Sequence, residues 1–413
     1  MKRSPIIKNI NNYLYDSLMP LNINYWYNIG SLLGLFLGIQ IITGIILSMY
    51  YIAEYKLAFE SVQYIKKEIN YGYLIQNLHS NGAFFFFFLV YLHIARGLLY
   101  GSYTYNKIGT WIQGIIILLL MIITAFLGYS LPLGNMSLWA IAVITNLLTI
   151  LPYGHDIVTF IYGGFTINDS TIGRFYTIHY LLPFIITVLV IGHLITLHNK
   201  GGSNPLGINT VKNIGGIKFH PYYTFKDIYG YFLVLFIYLF IVFYNSDYFN
   251  HSDNYIEANP LVTPSHIVPE IYLLPFYSIL RAIPNKTLGV LALLSAILIL
   301  IILPFIHLGY INTTLFRPKF KYILYLFFIN FLLLIYTGGA LVEEPYITIS
   351  QLSTIFYFSY FILLIPLISF YESFIFYSYK YYSLNPTLPL IKNLIIKDKN
   401  SIIKDNEDFP KQI

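Results

Sequence analysis

Residues 79–93 read "HSNGAFFFFFLVYLH", a nearly unbroken apolar run with an imidazole at each end. As helix, such a run fits only lipid or a deep core, and ionisable side chains inside a membrane helix mark function by default. The pattern recurs downstream, because His179 and His193 share the 14-residue spacing of His79 and His93. Fourteen residues make about four helical turns, so the two rings of each pair lie on nearly one face, about 21 Å apart along the axis.

The composition decides the environment of these helices. A chain of 413 residues that is 57% hydrophobic, 19% aromatic and only 10% charged has too little polar surface to dissolve as a globule. Apolar runs near 29–52, 74–100, 111–131, 175–198, 228–245, 287–307, 322–340 and 352–377 approach or exceed the roughly 20 residues that cross a bilayer as helix. The expected fold is therefore an all-α integral membrane protein with eight transmembrane helices. The first four form a four-helix bundle, and the rest form a second helical group.

Charge supports an even number of spans. If each span reverses the chain, 18 of the 24 basic residues fall on the side of both termini, among them Arg96, Lys107, Lys226, Arg317 and the lysines of the tail. The other side keeps 11 of the 18 acids. That asymmetry is what the positive-inside rule requires. The sequence has no cysteine, which removes disulfides and thiolate metal ligands. Nothing near Met1 reads as a cleavable signal or transit segment, and the abundance of Ile, Phe, Tyr and Asn suits an AT-rich organelle gene. Two long loops, 132–174 and 246–286, carry Pro, Gly, Trp and Tyr, and fold back on the membrane surface. The chain divides into an N-terminal unit of four helices at 1–200, helices and a pocket-forming loop at 201–377, and a charged tail at 378–413.

In this topology the second and fourth spans run the same way, so His79 meets His179 and His93 meets His193 as two stacked bis-imidazole sites. Such sites suit the axial positions of haem iron better than zinc, which takes a fuller tetrahedral set. A lone histidine of this kind also serves as an ordinary cap or interhelical hydrogen bond; a doubled spacing does not follow from that role. Gly30 and Gly44, and again Gly114 and Gly128, repeat the 14-residue period on the intervening spans. They would make room for the flat haem, although small-residue helix packing also uses such glycines.

The motifs "NIGSLLG", "HIARGLLYGSY", "TAFLGYSLP", "VITNLL", "HPYYTFKDI", "NPLVTPSHIVPE" and "YLLPFY" stand in the order found in mitochondrial cytochrome b, the haem-carrying core of the cytochrome bc1 complex (respiratory complex III), which the chain resembles from about residue 5 to about 375. The resemblance implies a low-potential haem b on His79 and His179 and a high-potential haem b on His93 and His193, with Arg96 near a propionate of the latter. It implies ubiquinol oxidation at the intermembrane face by a pocket containing Glu270, Tyr272 and Tyr129. Quinone reduction would occur at the matrix face beside His198 and Asp227, with Lys226 assisting. It further implies a Rieske iron–sulfur protein, cytochrome c1 and other complex III subunits as partners, a homodimeric complex, and the mitochondrial inner membrane with both termini in the matrix.

The sequence departs from the family's usual pattern at four places. Gln76 replaces the Arg usual ahead of the first haem histidine, Leu133 and Ile271 replace two tryptophans, and Ala140 follows Trp139 where Gly is usual. A proton-coupled transporter, a di-haem subunit of another dehydrogenase and a structural anchor are the competing readings. The transporter needs no haem, and the other di-haem subunit needs no "PEIY" motif.

Overall fold

The computed structural model describes residues 11–12, 15–104, 107–207, 216–309 and 311–384. Lys2, Arg3, Lys8, Lys212 and the lysines beyond 384, which contribute to the expected charge asymmetry, lie outside these residues, as does most of the expected tail. The tail's expected start at 378 falls inside a helix that runs on to Leu384.

Among the described residues, eight helices are long and apolar enough to cross a bilayer: Tyr25–Ser48, Gly72–Leu99, Ile108–Ser130, Asp169–Asn199, Tyr222–Tyr244, Lys286–Ile306, Pro318–Gly339 and Tyr346–Ser378. They are referred to as the first to eighth spans. Several begin earlier than their apolar runs, because polar first turns are satisfied locally. The fourth starts at a reciprocal cap in which Asn168 Oδ1 accepts from the Ser170 amide at 2.8 Å and Thr171 Oγ1 accepts from the Asn168 amide at 3.1 Å. The sixth starts where Asn285 Oδ1 accepts from the Leu288 amide at 3.0 Å. The eighth starts with a turn whose Ser350 hydroxyl meets Ser278 at 2.8 Å, while Ser278 also meets Thr337 at 2.7 Å. These hydroxyls bind helices to one another, so hydropathy alone misses their turn.

Between helices in lipid, burying apolar surface excludes no water; close packing and hydrogen bonds must hold the bundle. Phe87, Val90, Trp111, Ile115 and Leu118 of the second and third spans pack with Leu300, Leu303, Phe327, Tyr357 and Tyr360 of the sixth to eighth. Two hydrogen bonds pin this junction: Trp111 Nε1 donates to the Leu300 carbonyl at 2.7 Å, and the Tyr357 hydroxyl to the Ala296 carbonyl at 2.7 Å. Toward the basic end, buried Arg317 pairs its Nε with Glu372 at 2.5 Å and donates to His307 Nε2 at 3.1 Å. Because Arg only donates, His307 carries its proton on Nδ1, which meets the Tyr103 hydroxyl at 2.9 Å. Four segments are locked together by this chain of contacts.

The long loops form the short helices Asn135–Leu147, Gly154–Tyr162 and Leu274–Ala282, and the connection between the first two spans forms Ala58–Lys67. The fold is not wholly helical. Strands β1 (Leu18–Pro20) and β2 (Gly216–Lys218) pair antiparallel, Leu18 against Lys218 and Pro20 against Gly216. These segments lie outside the spans, where backbone groups without a helix need partners from elsewhere.

Candidate functional site

Two layers of histidine cross the first four helices. In the layer toward the long loops, the His79 and His179 rings have centroids 6.3 Å apart and planes at 84°. Thr43 of the first span donates its hydroxyl to the Ile39 carbonyl at 2.6 Å, so its oxygen accepts from His79 Nδ1 at 2.9 Å. His179 Nδ1 lies 2.8 Å from the Thr124 carbonyl, which only accepts. Both rings thus carry their proton on Nδ1, leaving each Nε2 lone pair for a metal. An ion with metal–imidazole bonds of about 2.0–2.1 Å on both sides sets ring centroids roughly 6.3 Å apart. The residues present fit a bis-imidazole iron.

Each of the four glycines faces one of the histidine rings. A Cβ on Gly44 would lie 3.1 Å from His79 Cε1, and one on Gly128 would lie still closer to His179. Gly30 faces His93 and Gly114 faces His193, each at 3.5 Å on the same test. At Gly44 and Gly128 an added Cβ would press on the imidazole, whereas at Gly30 and Gly114 it would meet the ring at ordinary contact distance.

At the second layer His93 and His193 lie within electrostatic reach of one another. Arg96 Nη2 donates to His93 Nδ1 at 3.2 Å, and the guanidinium lies 4.9 Å from the Tyr27 ring centroid. Arg96 Nε and His193 Nδ1 are enclosed without a hydrogen-bond partner. An enclosed guanidinium nitrogen with no acceptor fits an anionic edge on the absent group. Among the described residues no three or more His, Asp or Glu gather into a fuller metal site.

A cavity of about 280 Å³ runs from Gly44, His79 and His179 to Tyr129, Glu270 and Tyr272. The long loops hold its far wall. Asn254 Oδ1 accepts from the Ser137 amide and hydroxyl at 3.0 and 2.8 Å, Ser137 donates to the Tyr129 carbonyl at 2.7 Å, and Trp139 Nε1 reaches the Val262 carbonyl at 3.1 Å. Tyr272 stacks on Phe87 with centroids 4.2 Å apart, and the Tyr91 hydroxyl donates to the Tyr272 carbonyl. Burial pushes the Glu270 carboxyl up to about 8. A buried acid that titrates near neutrality beside two phenols can take and release a proton at physiological pH.

The structure therefore brings Glu270, Tyr129 and Tyr272 together and joins them to the His79 layer. It places Asp227 in the second turn of the fifth span, within hydrogen-bonding range of Ser31, with Lys226 beside it. Lys226 Nζ donates to the Ile23 carbonyl at 2.7 Å. His198 lies near the end of the fourth span, half-buried. Thr43, Thr124 and Tyr91 escaped the sequence reading. Only a contact with another segment, the next span for Thr43 and Thr124 and the loop after the fifth span for Tyr91, gives them a role, although a threonine one residue before Gly44 was a visible polar break in an apolar run.

These features define a multi-pass membrane protein built for electron transfer, with paired imidazoles in two layers and a proton-active pocket against one of them. Residues 14–201 match the family profile described as Cytochrome b/b6/petB, and residues 257–358 match Cytochrome b(C-terminal)/b6/petD. The chain is 51% identical to a protein named cytochrome b from Podospora anserina over 90% of this chain and 96% of that one. It is 48% identical to the protein of the same name from Saccharomyces cerevisiae over 89% and 95%. A solved chain from a hyperthermophilic respiratory complex III superposes with a TM-score of 0.84 at 32% identity, covering 90% of this chain and 98% of that one. The chain belongs to the cytochrome b family, and acts in respiratory electron transport as a haem-binding subunit of complex III.

Proposed function

We propose that this chain is the catalytic core of a ubiquinol:cytochrome c oxidoreductase, working by a Q cycle. His79 and His179 hold one haem b, and His93 and His193 a second, of higher potential. Bound there, the haems accept and pass on single electrons across the membrane.

The chain's own groups handle protons and position. Quinol enters the cavity between the His79 layer and the loop wall, where Glu270 accepts a hydroxyl proton while Tyr129 and Tyr272 line its surroundings. Removing that proton makes the quinol easier to oxidise, which is the task of a general base with a pKa near ambient pH. At the other end His198 and Asp227, with Lys226 adjacent, supply protons to reduced quinone. The first electron leaves for a Rieske iron–sulfur protein and then cytochrome c1, in a dimeric complex of the mitochondrial inner membrane with both termini in the matrix. The two functional units are 1–200 and 201–377, followed by the tail from 378.

The observation that carries this reading is the His79–His179 pair, with both Nδ1 protons engaged and the rings spaced for an ion. Its test is a reduced-minus-oxidised spectrum followed through a potentiometric titration of the complex. Two b-type components with separate midpoints are expected; no haem or one component would return the transporter reading to the front.

A further inference from the structure

The two histidine layers differ in charge. Among the described residues the cavity wall around His79 and His179 carries Glu270 as its only Asp, Glu, Lys or Arg side chain, and the rings' own polar partners, the Thr43 hydroxyl and the Thr124 carbonyl, are neutral, as are the lining amides of Gln40 and Gln76. Gln40 Nε2 and Gln76 Oε1 are enclosed there without partners. Around His93 the setting is cationic. Arg96 touches the ring, and Lys107, the residue that precedes the third span, stands about two helical turns ahead of Gly114, which faces His193, and within electrostatic reach of Arg96.

This cationic arrangement is costly as it stands. Lys107 is partly buried and sits at a helix N-terminus, where the backbone dipole already presents positive charge. Desolvation, and then Arg96, lower its pKa to about 8. Among the described residues no carboxylate contributes to the electrostatics of either side chain; Tyr27 and Tyr100 are the groups that act on Arg96. Arg96 also cannot keep its present contact once iron is bound. A neutral ring that gives its Nε2 lone pair to a metal carries its proton on Nδ1, and that N–H opposes the Arg96 N–H now donating to it. The guanidinium must then find another acceptor, and its Nε already lacks one.

We infer that Lys107 joins Arg96, which the family resemblance already sets near a propionate, in holding the haem carboxylates at the His93–His193 site, and that this second cation, set against neutral groups at the other site, widens the separation of the two haem potentials. This rests on the proposed two-haem reading. Positive charge beside a haem favours its reduced form, so the clamped site becomes the electron acceptor of the pair. Arg96 contacts the ligand ring; Lys107 is the member that sequence and fold leave without another task.

The test is Lys107→Gln and Lys107→Arg in the intact complex, with potentiometric titration of both haem components. Lys107→Gln should lower the midpoint of the higher-potential component and leave the other unmoved, while Lys107→Arg keeps both. Absence of any shift, or an equal shift of both, overturns the clamp. Phospholipid phosphate bound to each complex is assayed in parallel. Loss of anionic lipid with unmoved midpoints would assign Lys107 to a lipid headgroup instead and overturn the inference. Should Lys107→Gln fail to assemble, redox difference infrared spectra of Lys107→Arg decide: carboxylate bands should shift, and unshifted bands refute it. Fewer than two components in the unmodified complex would sink the two-haem reading itself.

Discussion

Gly128 stands so close to the His179 ring that a Cβ there would overlap Cε1, whereas Gly114 leaves His193 an ordinary contact distance of 3.5 Å. The two histidine layers thus differ in how tightly the neighbouring helix seats the ring. Overpacking a tight site costs about 1–3 kcal/mol. Gly128→Ala should therefore displace His179 and remove or weaken the low-potential component in the redox spectrum, and Gly44→Ala should act the same way more mildly. Gly30→Ala and Gly114→Ala should spare it.

Glu270 gives the pocket a pH signature. With its pKa raised by burial to about 8, the carboxyl is mostly protonated at neutral pH. Quinol oxidation should rise with pH through about 8 and then level off, and Glu270→Gln should flatten the profile and lower turnover about 10²-fold. Stability runs the opposite way. The native state holds this proton up to about 8 and the unfolded chain releases it near 4.5, so between those values stability falls as pH rises. Thermal unfolding of the Glu270→Gln complex should lose that part of the slope; an unchanged slope would show that the carboxyl is not buried in solution.

Gln76 lines the cavity beside His79 with its carbonyl oxygen enclosed and unpartnered. A neutral amide where the family usually carries Arg stabilises the oxidised haem less unfavourably than a cation would, so this haem should titrate at an unusually low potential. Gln76→Arg should raise that midpoint. An ordinary family-like value in the unmodified complex would disprove the argument.

Ala140 is buried on the helix Asn135–Leu147, next to Trp139. Relative to the glycine usual in the family, its methyl group adds bulk to this buried helix face. Strobilurin-type compounds should inhibit quinol:cytochrome c reductase activity weakly, and Ala140→Gly should sharpen the dose response.

Arg317 is 1% exposed on its side chain and depends on Glu372 for its charge. Removing one partner of such a pair leaves a buried charge uncompensated and costs about 3–5 kcal/mol. Glu372→Gln should lower the unfolding temperature of the complex in detergent, whereas replacing both residues by apolar ones of similar volume should restore much of the loss.

The sequence by itself determined the membrane class, the eight spans and the doubled imidazole period, because hydrophobic length and helical repeat are local properties of the chain. It also made the family legible through long ordered motifs. What only the tertiary structure decided are the contacts that join segments far apart: Thr43 orienting His79, the Thr124 carbonyl orienting His179, and the loop hydrogen bonds that bring Glu270 to Tyr129. It also showed which ring each glycine of the 14-residue period faces, and that Lys107 lies within electrostatic reach of Arg96. Apart from the glycine period these leave no periodic trace, since each is set by which helix packs against which, and a side chain's role there depends on a partner from another segment.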